Sequence, residues 1–161
     1  MTVMLNSAAF RPVGLELTLG TQVSKSATTL VQNASQSLFT ITGGRVLVRG
    51  IVGSVTSAIA NTASLTVLLQ TTPSGGSAAN LCAATAATNL AAGTMISVSS
   101  STITDAATTS VSKVNLLSGG GFVLRAGTIT QLVSDHDPGT GAISWELLYV
   151  PLDDAAAVTS A

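Results

Sequence analysis

The sequence predicts an all-β domain: a β-sandwich or barrel-like stack of about ten short antiparallel strands, with an extended N-terminal segment. Three observations lead there. Apolar and polar residues alternate with period two along much of the chain. Clusters of Gly, Pro, Asn and Asp punctuate these runs roughly every 8–12 residues. No segment carries the apolar stripe at i, i+3, i+4 that marks an amphipathic helix. A chain of 161 residues and 16.0 kDa suits one domain.

The elements follow in order. Leu15, Leu17 and Leu19 alternate with Glu16 and Thr18, and Gly20 closes the run. Thr21 to Ser37 is dominated by Ser, Thr, Gln and Asn and reads as a loop or an extended arm. Ser37 to Thr42 (Leu38, Phe39, Ile41) is a strand that ends in the turn signal Gly43-Gly44. Arg45 to Arg49 alternates around Val46 and Val48, and Val52 to Ile59 continues it past Gly50 through a bulge or bend. Ser64 to Thr71, Thr94 to Ser100 and Ser101 to Thr104 are rich in β-branched residues. Between them, Asn80 to Ala92 is the single helical candidate, on its alanine content.

Gly121 to Arg125 is a further short strand, separated by Ala126-Gly127 from Thr128 to Val133. There Ile129, Gln131 and Val133 share one face. In Ile143 to Val150 the face Ile143, Trp145, Leu147, Tyr149 opposes Ser144, Glu146, Leu148, Val150. The residues between these two strands, Asp135 to Gly141, favour turns, so the pair reads as a hairpin with a long tip. The expected organisation is an arm and polar linker over 1–36, a β-domain over 37–152 and a flexible tail over 153–161.

Composition excludes several functions. Ala and Thr (23 each), Ser (20) and Gly (15) make up half of the chain, and charged residues are only 8%. Six Lys or Arg against seven Asp or Glu give no basic footprint, so no nucleic-acid partner is expected. Cys82 is the only cysteine, which rules out a disulfide scaffold, and with one His a zinc site of N/S ligands is disfavoured. Gly50 to Thr104 has no charged residue, yet Ser, Thr, Asn, Gly and Pro interrupt it too often for a spanning helix. No membrane partner is expected. Met1 to Phe10 lacks the basic start of a secretory signal.

Each candidate for chemistry has a plainer explanation beside it. Asp135, His136 and Asp137 could hold a cation through oxygen ligands, or His136 could act as a base. A solvated turn capped by Asp accounts for the same residues. No Gly-x-Ser-x-Gly elbow occurs, and Ser118-Gly119-Gly120-Gly121 lacks the Lys and helix of a phosphate loop. Cys82 reads as a small buried hydrophobe. Arg45 and Arg49 are expected to pair with Glu146 or Asp105, or to meet an acidic partner. Trp145 and Tyr149 either anchor the core or form a stacking platform for sugars. Asn33-Ala34-Ser35 matches a glycosylation acceptor without a secretory signal beside it. No catalytic, cofactor-binding or metal-binding residue is assigned, no cofactor is expected, and the chain is not expected to be an enzyme.

The C-terminal run Thr140-Gly141-Ala142-Ile143-Ser144-Trp145-Glu146-Leu147-Leu148-Tyr149-Val150-Pro151-Leu152-Asp153-Asp154, followed by an Ala/Val tail, resembles the end of small β-rich virion proteins of tailed bacteriophages. Phe39-Thr40-Ile41-Thr42-Gly43-Gly44-Arg45-Val46-Leu47-Val48-Arg49-Gly50 is similar to the segment that opens their folded core. The resemblance implies a head decoration (cement) protein, a homotrimer bound to the major capsid protein on the outer capsid surface at local threefold positions. It brings no catalytic residues. Composition points separately to self-association. A near-neutral, many-stranded chain has few charges to blunt its sheet edges, so a homo-oligomer is expected. Residues 1–20 are expected to reach a neighbour by strand addition. Two other readings remain open: a tail or baseplate component, and a carbohydrate-binding sandwich module.

Overall fold

The computed structural model describes residues 20–59, 65–97, 113–115, 121–134 and 137–161. Among them the chain forms twelve strands and no helix. These are β1 (Thr21–Thr29), β2 (Ser35–Thr42), β3 (Val46–Ser57), β4 (Thr66–Pro73), β5 (Ala79–Asn80) and β6 (Thr85–Ala86). They continue with β7 (Met95–Ser97), β8 (Lys113–Asn115), β9 (Phe122–Leu124), β10 (Gly127–Ser134), β11 (Ala142–Pro151) and β12 (Ala157–Ser160).

Two antiparallel sheets pack face to face as a β-sandwich, confirming the all-β expectation. Sheet A has the order β1-β11-β3-β9-β8, with β7 also on β3. Sheet B has the order β12-β2-β10-β4-β5, with β6 also on β4. The core between them is aliphatic with a few rings. Phe39, Leu69, Ile129 and Val133 face it from sheet B, and Val48, Ile51, Ile143, Trp145 and Leu147 from sheet A. The alternating faces of β10 and β11 are those read from the sequence, because each strand buries one side and, apart from the covered Thr130, leaves the other partly or fully exposed.

Irregularities fall where the sequence breaks its own alternation. Leu148 pairs with Gly50 and Tyr149 with Val48, so Arg49 is the extra residue of a bulge in β3. In β2 the pairing jumps from Phe39 to Ser37, and the skipped Leu38 is buried beside Phe39. A bulge thereby lets two successive residues enter the core.

The hairpin expected from β10 and β11 is not formed. β10 is paired on both edges, to β2 and β4, and β11 on both edges, to β1 and β3. The two strands lie in opposite sheets with their apolar faces toward each other, and the turn-rich connection crosses the sandwich. Turn residues reverse the chain equally well within a sheet or between sheets, so local chemistry does not distinguish the two. Gly43-Gly44 makes a similar crossing, from β2 in sheet B to β3 in sheet A.

Three further expectations are corrected. Asn80 to Ala92 is not helical: Leu81 N–H bonds to Leu69 O and Ala87 N–H to Leu65 O, tying the segment to the β4 side of sheet B. Thr21–Thr29, read as loop or arm, is edge strand β1, and its polar character goes with an inward side that is only half-buried, where Val23 packs against the core. The proposed boundary at residue 36 therefore runs through β2. The tail 153–161 is not flexible throughout, since Ala157–Ser160 pairs with β2 and Val158 is buried. The strands expected at Leu15–Leu19 and Ser101–Thr104, residues Asp135 and His136, and Ser118-Gly119-Gly120 lie outside the described residues.

Candidate interaction surface

Inside the sandwich, a chain of side-chain amides joins the sheets. Gln131 sits on the inward face of β10 with no exposure. Its Oε1 accepts the Trp145 indole N–H at 2.8 Å, and its Nε2 donates to Gln36 Oε1 at 2.7 Å. Gln36 Nε2 in turn donates to the Thr29 carbonyl at 2.8 Å. The relay runs from β11 through β10 and β2 back to β1. No buried side-chain N or O atom among the described residues lacks a partner. These groups are therefore structural anchors. A polar residue at an apolar alternation position, Gln131, was the sequence signal for this partner, although it did not reveal which residue it would meet.

Trp145 and Tyr149 both face the core, at 1% and 7% exposure, so neither ring offers a platform to an external sugar. Trp145 lies against Gly53, where an added Cβ would come 2.8 Å from the ring. Cys82 is half-buried and packs against the core. Asp137 accepts the Gly139 N–H at 2.9 Å, the turn-capping arrangement. Among the described residues no group of three or more His, Cys, Asp or Glu is placed to hold a metal ion. No helix among them is long and apolar enough to cross a membrane.

Arg45 pairs with Asp153, an acid outside the expected set; of that set, Asp105 lies outside the described residues. Its guanidinium meets Asp153 through Nη2 at 2.8 Å and Nε at 3.1 Å, and its backbone N–H reaches Asp153 Oδ2 at 2.6 Å. These bonds hold the Asp153 carboxyl down at about 2, the side-chain bond contributing most, and raise the arginine. Gly43 and Gly44 let this corner close. A Cβ on Gly43 would fall 1.8 Å from the Ala155 carbonyl, and both glycines have positive φ. The corner clamps the β2–β3 crossing to the segment between β11 and β12. Sequence reading missed it because Asp153 was assigned to the tail.

The outer face of sheet B is uniform. Thr159, Thr40, Thr128 and Thr72 stand opposite one another across four strands. The next row is Ser37, Thr130, Gln70 and Asn80, with Gln70 Nε2 donating to Asn80 Oδ1 at 3.0 Å. Leu132 and Leu68 follow, then Ser134 and Thr66, whose hydroxyls bond at 2.6 Å. No charged residue belongs to β2, β4, β10 or β12. Sheet A instead carries Glu146 and Arg49 exposed on its strands. Chemically, the sheet B face suits broad, neutral contact through hydroxyls, amides and methyl groups. It has no group suited to proton transfer or nucleophilic attack.

The chain matches no protein-family model, no curated protein and no solved structure.

Proposed function

We propose that the protein is a structural virion component, a capsid decoration protein that binds the outside of a phage head as a homo-oligomer, with a trimer favoured. The observation that carries this reading is the charge-free outer face of sheet B. Such a face lies flat on another protein without the cost of desolvating ions. Its many small donors and acceptors distribute the contact instead of concentrating it in a pocket. The resemblance of Thr140–Asp154 and Phe39–Gly50 to phage virion proteins supports the same reading. So does the rigid two-sheet frame, pinned internally by Gln131 and at one corner by Arg45 and Asp153.

The mechanism is mechanical. Subunits spread across joints between capsid proteins, so that expansion of the shell by packaged DNA must also break their contacts. Quantitative mass spectrometry of particles assembled from the genome that encodes the chain tests this. The expected copy number scales with that of the major capsid protein. A number that scales with the tail would move the protein to the tail or baseplate.

A further inference from the structure

A β-sandwich has four sheet edges, and each unguarded one is a template for another strand. Among the described residues, three of the four are blunted. β1 is bulged between Lys25 and Thr28. Two of its carbonyls are taken up within the chain: Gln36 Nε2 donates to Thr29 O at 2.8 Å, and Thr28 Oγ1 to Ser26 O at 3.3 Å. Lys25 also lies at an inward register position, opposite Trp145, with its amine on the Ala161 carbonyl. The far edges are broken into pieces, since β5 and β6 have two residues each and β7 and β8 three.

The fourth edge is β12. It runs in unbroken register on β2, from Ala157 opposite Thr42 to Ser160 opposite Phe39, with no charge and no proline. The ladder continues one residue further, where Ala161 N–H bonds to Leu38 O at 3.0 Å. Residues of an antiparallel strand alternate between those that exchange bonds with the partner and those that point N–H and C=O away. Ala161, Thr159 and Ala157 are thereby bonded to β2, and Val158 and Ser160 aim their N–H and C=O groups at the open edge. The Val158 side chain is buried, which holds that edge in place.

The surroundings select the occupant. β1 runs alongside β12 across the gap between the sheets. It exposes Thr21, Gln22, Ser24, Ser26 and Ala27, and its one charge, Lys25, is already bonded. This side of the sandwich is therefore neutral. The nine residues of β1, with sheets about 10 Å apart, give it roughly 30 Å by 20 Å, on the order of 600 Å². Each member of a stable pair uses about 800 Å². A lone extended segment covers only the β12 half of this side, whereas a second copy turned about a two-fold axis covers both strands with its own.

We infer that β12 is a subunit contact, its open edge pairing antiparallel with β12 of a second copy. With the axis at Thr159, Val158 of each copy stands opposite Ser160 of the other. That makes about four new backbone hydrogen bonds and joins the two B sheets into one. The inference rests on the homo-oligomer of the proposed function and names one of its contacts. Like strands paired in this way are related by a two-fold axis, so this contact joins subunits in pairs and a trimer needs a second contact elsewhere.

Ser160→Pro in the full chain tests it. Proline removes an N–H that faces the edge and leaves the bonds to β2 in place, a substitution that edge strands accept. Deleting β12 would not serve, because it also bares β2. Sedimentation velocity across a dilution series should show self-association whose dissociation constant rises by about tenfold or more in the variant. In hydrogen exchange followed by NMR, the Val158 amide should be protected in the wild-type oligomer and exchange about tenfold faster or more in Ser160→Pro. The Thr159 amide, bonded to β2, should stay protected in both. Ser160→Lys puts a charge on the same edge and replaces the proline variant if that chain fails to fold. A monomer at every concentration overturns the inference. So does an oligomer whose mass is the same in the variant, or one in which the Val158 amide exchanges freely. All of these are read in solution, so failure here is distinct from failure to attach to a phage head, which is read on the particles.

Discussion

The indole N–H of Trp145, on sheet A, is bonded at 2.8 Å to Gln131 Oε1, on sheet B, with both side chains out of contact with water. This one bond fixes how the two sheets face each other. Hydrophobic contact alone tolerates sliding between layers, whereas a buried donor left without its acceptor carries the full desolvation penalty.

Gln131→Leu keeps the volume and removes the acceptor. It should lower unfolding free energy by about 1–3 kcal/mol, the usual cost of a buried polar group stranded without a partner. Gln36 loses its own partner in the same variant, so Gln36→Leu combined with Gln131→Leu should cost less than the two single changes added together. Urea denaturation of the four proteins in this cycle measures both effects.

Gly53 makes room for the Trp145 ring, and a methyl group there would sit 2.8–3.0 Å from three ring carbons. Gly53→Ala should therefore destabilise the domain by about 1–3 kcal/mol through overpacking. The near-ultraviolet circular dichroism of this single tryptophan should change with it. Gly50→Ala, with open space at the same position, serves as the comparison.

The corner ion pair gives a signed pH dependence. Asp153 titrates at about 2 in the folded chain, against an ordinary value of 3.8, because Arg45 bonds its charged form. Stabilisation from this group is complete above the ordinary value and is lost as pH falls from about 4 to about 2. Asp153→Asn should flatten the stability profile within that window and leave the profile between pH 5 and 8 unchanged in shape. Both side chains are solvent-exposed, so the effect should shrink as salt is added.

Removing β12 uncovers one edge of β2. Truncation after Asp154 exposes Leu38 and Ile41 at that edge and deletes Val158, whose burial alone contributes about 1.5–3 kcal/mol. Lower thermal stability and concentration-dependent self-association are expected. Calorimetry and light scattering across a dilution series check the two.

Much of the fold was legible because each long strand buries one face. Ile143, Trp145, Leu147 and Tyr149, and likewise Ile129, Gln131 and Val133, announce a strand and its inward side by alternation alone. Pairing was not legible. Asp135 to Gly141 reverses the chain with the same residues whether β11 returns beside β10 or crosses to the other sheet. Edge strands were hidden for a different reason: the inward side of β1 is only half-buried and carries one aliphatic residue, Val23, before a bulge breaks its alternation, and β12 is only four residues long. The candidate surface was the least readable part. The threonine row of sheet B draws one residue from each of four strands far apart in sequence, and only the register brings Thr159, Thr40, Thr128 and Thr72 together.

Whether the chain decorates a phage head is decided by electron cryomicroscopy of the particles assembled from the encoding genome. Density for this β-sandwich is expected on the outside of the head shell, repeated at its local symmetry axes, with the sheet B face toward the capsid. Particles whose heads carry no such density, while the chain is found elsewhere or not at all, would contradict it.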